Sequence, residues 1–159
     1  GLIPGDDEAD VVWSTRPPAT LTNNESGQFE CRWVRLEPDV TSVCVFTKHL
    51  DAPIDCPVAH GEGRVALRSP DTLVALEAAN QIPFRYVDRA GSGEVGYPIN
   101  PNGSVAGIAA LCNPQGNVMG MMPHPENHIY QWQRPSGRAQ EWQLGLPLFE
   151  AAIRYAKSL

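Results

Sequence analysis

Hydrophobic and polar side chains alternate through Glu30-Cys31-Arg32-Trp33-Val34-Arg35-Leu36, and this period of two predicts a β-strand over 30–36. A second β pattern covers 42–47. Pro57-Val58-Ala59-His60 is a short apolar run that ends in Gly61-Glu62-Gly63, a strand entering a turn. Ser69-Pro70-Asp71 starts a helix, with Ser69 as N-cap, Pro70 in the first position and an acid in the first turn. Leu73 and Leu76 give that helix one apolar face, and Ala79-Asn80 stops it. A strand returns over 82–87, and 107–112 and 117–122 flank the turn Asn113-Pro114-Gln115-Gly116 as a hairpin. A helix over 147–157 closes the chain, apolar through Leu148, Phe149, Ala152, Ile153 and Ala156. Residues 1–28 are polar and broken by proline and glycine, a loop around a short strand at 10–13.

This pattern holds about seven strands and two helices. The strands at 82–87, 107–112 and 117–122 are apolar enough to be covered on both faces, which usually takes helices on both. Two helices are too few, so either a partner covers the remainder or further helices lie upstream of Gly1.

With 159 residues, 42% of them hydrophobic, the chain can bury a core as a single domain. A net charge of −6 argues against nucleic acid and against anionic membranes as partners. No apolar stretch reaches transmembrane length, and no charged-then-apolar leader is present. Cys31, Cys44, Cys56 and Cys112 are dispersed, without Cys-x-x-Cys spacing, which suits reduced thiols of a cytoplasmic protein. The start at Gly1, with no initiator Met, reads as part of something longer.

The chemistry concentrates in Met121-Met122-Pro123-His124-Pro125-Glu126, after the apolar segment 118–122. Each proline biases the residue before it towards extended backbone. Residues two apart in an extended segment share a face, so Glu126 is expected beside the ring of His124. A carboxylate there fixes the tautomer and stabilises the imidazolium, as a general base for a nucleophile requires. The other reading is a hydrogen-bonded pair holding a turn.

Asn100-Pro101-Asn102-Gly103-Ser104, Ile108-Ala109-Ala110-Leu111-Cys112-Asn113, Gly116-Asn117-Val118 and the His-Pro-Glu run resemble the end of the glutaminase of phosphoribosylformylglycinamidine synthase. Asn24-Glu25-Ser26-Gly27-Gln28-Phe29-Glu30-Cys31-Arg32-Trp33-Val34 and Ala59-His60-Gly61-Glu62-Gly63-Arg64 resemble further signatures of that family, in order along nearly the whole chain. His-Pro-Glu alone indicates only a class I (triad) glutamine amidotransferase. The Asn-Pro-Asn-Gly-Ser and His-Gly-Glu-Gly-Arg segments narrow it to this synthase.

The resemblance implies an α/β fold with a mostly parallel sheet and flanking helices. Residues 1–159 would be one partial glutamine amidotransferase domain that lacks the N-terminal part of the fold. It implies release of ammonia from glutamine, with transfer to a synthetase subunit or domain that uses ATP and Mg to make the amidine of purine biosynthesis. No cofactor or metal falls to this chain. His124 would match the base that activates a cysteine and protonates the leaving ammonia, and Glu126 the acid that orients it. The absent strands and helices would cover one side of the sheet, so apolar surface is expected there.

No Gly-x-Cys-x-Gly elbow occurs in the 159 residues. Gly1-Leu2-Ile3-Pro4-Gly5 resembles the segment that ends the helix behind the elbow, which would put the nucleophile about three helical turns upstream. Asn127 stands where the family often has Arg, and 127–143 is insert-like, with two tryptophans. Cys31 lies within a strand, and Cys44 and Cys56 have no glycines on both sides. Cys112-Asn113 continues into Pro114, which lacks an N–H, and not into a helix. None suits an elbow; buried inert thiols are the ordinary reading.

His60-Gly61-Glu62 repeats the His-x-Glu spacing, as a second acid–base pair or as a loop whose glycines admit close backbone approach. Neither copy is followed by the Pro-Cys-x-x-Cys of a zinc deaminase, so a metal reading falls. Asn102-Gly103-Ser104 reads as an unmodified turn and Gly91-Ser92-Gly93 as a hairpin tip. Two classes stay open: part of a working glutaminase, or a non-catalytic binding or assembly piece.

Overall fold

The structure is a computed structural model that describes residues 2–4, 17–90, 95–135 and 142–159. The strand expected at 10–13 and the tip at 91–93 lie outside the described residues. In order, the elements are β1 (Ala19–Thr22), β2 (Glu30–Pro38), β3 (Ile54–His60), β4 (Arg64–Leu67), α1 (Pro70–Ala78), β5 (Phe84–Val87), β6 (Ile108–Cys112), β7 (Met119–Met121) and α2 (Leu146–Ala156). Short 3-10 turns at Val105–Gly107, Pro125–His128 and Gln131–Gln133 complete the inventory.

Five strands form one sheet in the order β3-β2-β5-β6-β7, and β1 pairs with β4 in a small second sheet. Every pairing is antiparallel. This corrects the expectation of a mostly parallel sheet. Parallel neighbours need a crossover of a dozen or more residues, usually a helix. Here α1 joins β4 to β5, which belong to different sheets, and the turn at 113–118 sends β7 straight back along β6.

β2 carries the sheet's register: Glu30 to Leu36 face His60 to Ile54 on one edge, and Arg35 to Pro38 face Val87 to Phe84 on the other. Val34, Leu36, Ile54, Val58, Phe84 and Tyr86 form the main core with Leu148 of α2. Val65, Leu76, Ile82, Ile108 and Leu111 form a second core beneath α1 and the small sheet. The small sheet thus supplies cover that helix counting misses. It still leaves an apolar groove of about 320 Å³ among Ile3, Leu21, Val65, Leu111, Met121 and Met122.

α1 begins as the sequence predicts, with the Ser69 hydroxyl accepting the Thr72 N–H at 3.4 Å. It ends at Ala78 with Ala79 as the cap, and Asn80, whose φ of 54° is left-handed, turns the chain towards β5. Residues 42–47 are turns and not a strand. Ser42, Cys44 and Thr47 close local turns with their N–H groups, while Val43 donates to the Asn80 carbonyl and Val45 to that of Gly116. Of the apolar positions expected on the last helix, Leu148 is buried while Phe149 and Ile153 are exposed.

Candidate active site

Three residues after β7 ends, the His124 N–H donates to the Pro57 carbonyl of β3 at 2.8 Å. His124 itself is non-helical (φ −112°, ψ 77°), as a residue before proline should be. Pro125 then opens a 3-10 turn, where its fixed φ and missing N–H carry no penalty. Glu126 therefore reaches its neighbour around a turn and not along an extended segment, which corrects the sequence-based geometry. His124 Nδ1 and Glu126 Oε1 lie 2.7 Å apart. With Nδ1 held by the carboxylate, Nε2 is the nitrogen left to exchange a proton. The side chains are 39% and 53% exposed, so both open onto the surface.

The second His-x-Glu does not form a pair. His60 Nδ1 faces Asn24 Oδ1 at 3.1 Å, while Glu62 is exposed. The ring lies against Gly63, where an added Cβ would come within 2.4 Å of it, so this is the close approach that a glycine permits. Burial, first of all, holds the His60 pKa below its ordinary 6.5. Asn24 and Asn102 knit this corner together. Asn24 donates to the Gln28 and His60 carbonyls at 2.8 and 2.7 Å and accepts from the Gly63 N–H at 3.1 Å. Asn102 has no exposed surface; it donates to the Gly63 carbonyl at 2.7 Å and the Tyr86 hydroxyl at 3.1 Å, and accepts the Ser104 hydroxyl at 2.7 Å. Three segments that resemble family signatures thus meet in one buried network. Paired amides at such distances leave no periodic mark in a sequence.

The cysteines are all free. Cys56 lies closest in chemistry to the pair, but burial pushes its thiol far up, helped by the charges of Asp55 and Glu126. Cys112 is buried and pushed up by its hydrogen bond to Cys44 and by burial. That same bond lowers Cys44 to about 7, yet Cys44 has no exposed surface through which a substrate could reach it. Cys31 is exposed, inside β2. Among the described residues, no cluster of three or more His, Cys, Asp or Glu could hold a metal, and no helix is long and apolar enough to cross a membrane.

The family model of the CobB/CobQ-like glutamine amidotransferase domain matches residues 1–156. The chain belongs to that family. Among its relatives are proteins named phosphoribosylformylglycinamidine synthase subunit PurQ. That of Treponema denticola is 40% identical over 98% of this chain and 61% of the relative, and that of Archaeoglobus fulgidus 39% identical over 100% and 58%. The chain therefore spans about three-fifths of the length of these relatives. A chain in the solved structure of PurLQS from Thermotoga maritima superposes with a TM-score of 0.62 at 28% identity, covering 87% of this chain and 53% of that one.

Proposed function

We propose that this amidotransferase chain is the glutaminase component of phosphoribosylformylglycinamidine synthase. It would release ammonia from glutamine for the ATP-dependent amidation of formylglycinamide ribonucleotide by a synthetase subunit or domain in the cytoplasm. ATP and Mg belong to that partner. The observation that carries the reading is the His124–Glu126 contact of 2.7 Å, set on a rigid turn in a chain about 40% identical to PurQ subunits.

In this reading His124 Nε2 takes the proton of a cysteine thiol, and the sulfur attacks the glutamine amide carbon. His124 then protonates the leaving nitrogen, so ammonia departs and a γ-glutamyl thioester remains. Water, deprotonated by the same ring, hydrolyses the thioester to glutamate and returns the thiol. Glu126 keeps the ring oriented and stabilises its charged form. No cysteine of the 159 residues stands in a Gly-x-Cys-x-Gly elbow, so we assign the nucleophile to a segment outside them. The apolar groove beside Met121 and Met122 is the surface we assign to that segment.

A glutamine-analogue electrophile tests the assignment. The 159-residue chain alone should neither hydrolyse glutamine nor take up label. A polypeptide that adds the elbow should do both, and His124→Ala should abolish both. Stoichiometric labelling of Cys112 or another cysteine of this chain, lost in His124→Ala, would overturn the assignment of the nucleophile. An elbow-bearing polypeptide that never turns over glutamine would favour a binding role.

A further inference from the structure

His128 is the most deeply buried of the histidines, with no exposed surface. It lies two residues beyond Glu126, at the end of the same 3-10 turn. Its Nδ1 sits 2.6 Å from the backbone carbonyl of Asp55. A carbonyl can only accept, so Nδ1 carries a proton and donates it to Asp55. Nε2 is buried and has no hydrogen-bond partner among the described residues. The ring stands edge-on to Trp33, with centroids 5.1 Å apart, and to Trp142, 6.3 Å apart.

An imidazole with one nitrogen left unsatisfied is a poor filler between two indoles; a leucine or phenylalanine would occupy the place without that cost. What the histidine supplies is the Nδ1–H bond. Its partner gives that bond meaning. Among the described residues β3 is an edge strand, paired with β2 on one side only. Its carbonyls at Asp55 and Pro57 are two residues apart and so lie on the same edge, about 6.8 Å from one another. Pro57 holds the His124 N–H and Asp55 holds the His128 ring. The turn that carries the His124–Glu126 pair is therefore mounted at both ends on one strand. With the first anchor alone it could pivot about His124; the second removes that freedom. The backbone N–H of Gly145 adds a bond to the His128 carbonyl at 2.8 Å, and Gln143 pairs its N–H with the Asp55 carboxylate at 3.0 Å, so residues 143–145 reinforce the mount.

We propose that His128 is a positioning residue, which fixes the His124–Glu126 pair through the Asp55 carbonyl; the role rests on the glutaminase reading above. His128 touches neither substrate nor nucleophile. Its effect is on the angle at which His124 Nε2 is presented.

The test uses the enzyme with its nucleophile-bearing segment, and two variants. His128→Phe keeps the aromatic volume and removes the donor; His128→Asn keeps a donor near the place of Nδ1. His128→Phe should lower kcat for glutamine hydrolysis about tenfold to hundredfold, the usual effect of a slightly misplaced base, with KM for glutamine little changed. His128→Asn should recover most of that loss. The ring signals of His124 in 1H–15N spectra give a readout independent of turnover: they should move in His128→Phe and stay near the native positions in His128→Asn. Native kcat and native His124 signals in His128→Phe would overturn the proposal, as would equal loss in both variants. Should His128→Phe fail to fold, His128→Leu, which also removes the donor, replaces it with the same expectations. If the elbow-bearing enzyme never hydrolyses glutamine, the glutaminase reading fails; the His124 signals in His128→Phe then still decide whether His128 positions the pair.

Discussion

Gly145→Ala is a one-carbon change at the point where the last helix meets the turn of the candidate pair. Gly145 has an ordinary φ of −78°, so an alanine there carries no backbone strain and any effect comes from contact alone. Its Cβ would stand 2.6 Å from the Pro125 carbonyl oxygen, 2.7 Å from Pro125 Cβ and 3.0 Å from Pro125 Cα. Ordinary contact begins near 3.4 Å, so one of the two backbones must move by about 0.8 Å. Neither is free to do so. Gly145 is tied to the His128 carbonyl and caps α2, and Pro125 lies between His124, bonded to β3, and Glu126. Overpacking of this kind costs about 1–3 kcal/mol. A displacement approaching 1 Å at a base can cost about a hundredfold in rate. The expected outcome is a lowered melting temperature together with a shifted His124 Nδ1 signal, and, in the elbow-bearing enzyme, a fall in kcat. Gly96→Ala is the control, since nothing lies within 4 Å of its added Cβ; its stability should stay within about 0.5 kcal/mol of native. If Gly145→Ala melts and resonates like the native chain, the contact with Pro125 does not hold the turn, and the account of the mount is wrong.

Asn102→Ala should cost about 1–3 kcal/mol, since it leaves the Gly63 carbonyl without its amide donor and the Ser104 O–H without its acceptor, read as a lower urea midpoint at unchanged m-value. His60 should make the fold acid-sensitive. Its folded pKa is below the unfolded 6.5, so its contribution is complete above that value and is lost as pH falls from there to the folded pKa, because the unfolded chain binds the proton first. Urea melts at pH 7 and 5 should therefore show a larger drop in the native chain than in His60→Gln. With Cys31 exposed and the other three thiols buried, a disulfide reagent should modify one cysteine in the folded chain and four after denaturation; rapid native reaction of Cys56 or Cys112 would contradict their burial.

Local rules reached far into this fold. Ser69-Pro70 places the start of α1 to the residue, and the turn at 113–116 places the β6–β7 hairpin, because caps and turns are chemistry between neighbours. The alternation at 30–36 likewise finds β2. Strand direction escaped, since apolar runs record burial and not polarity of the chain. β1 and β4 escaped as well: each has four residues, and the pairing of Ala19 with Leu67 leaves no trace in a short window. The alternation at 42–47 is real as burial of Cys44, but the backbone there is committed to local turns and, through Val43 and Val45, to loops distant in sequence. For the candidate pair, His124 and Glu126 could be read because they are two residues apart. His128 could not be, because its partner is a backbone carbonyl 73 positions away, and any residue type can supply a carbonyl.

The Asn24–His60–Asn102 corner also bears on how such a sequence can drift. Asn24 and Asn102 reach the same residue, Gly63, one through its N–H and the other through its carbonyl, while the His60 ring covers its Cα. A change at any of these positions alters the geometry in which the others are tolerated, so their substitutions should be strongly epistatic, with double-mutant effects far from the sum of the single ones. An isolated step away from any of them meets a barrier that a concerted step avoids. Loops that usually diverge freely are here bound to one another's history, and recombination between distant homologues with a crossover between residues 24 and 60 should yield fewer folded chimaeras than a crossover inside α2.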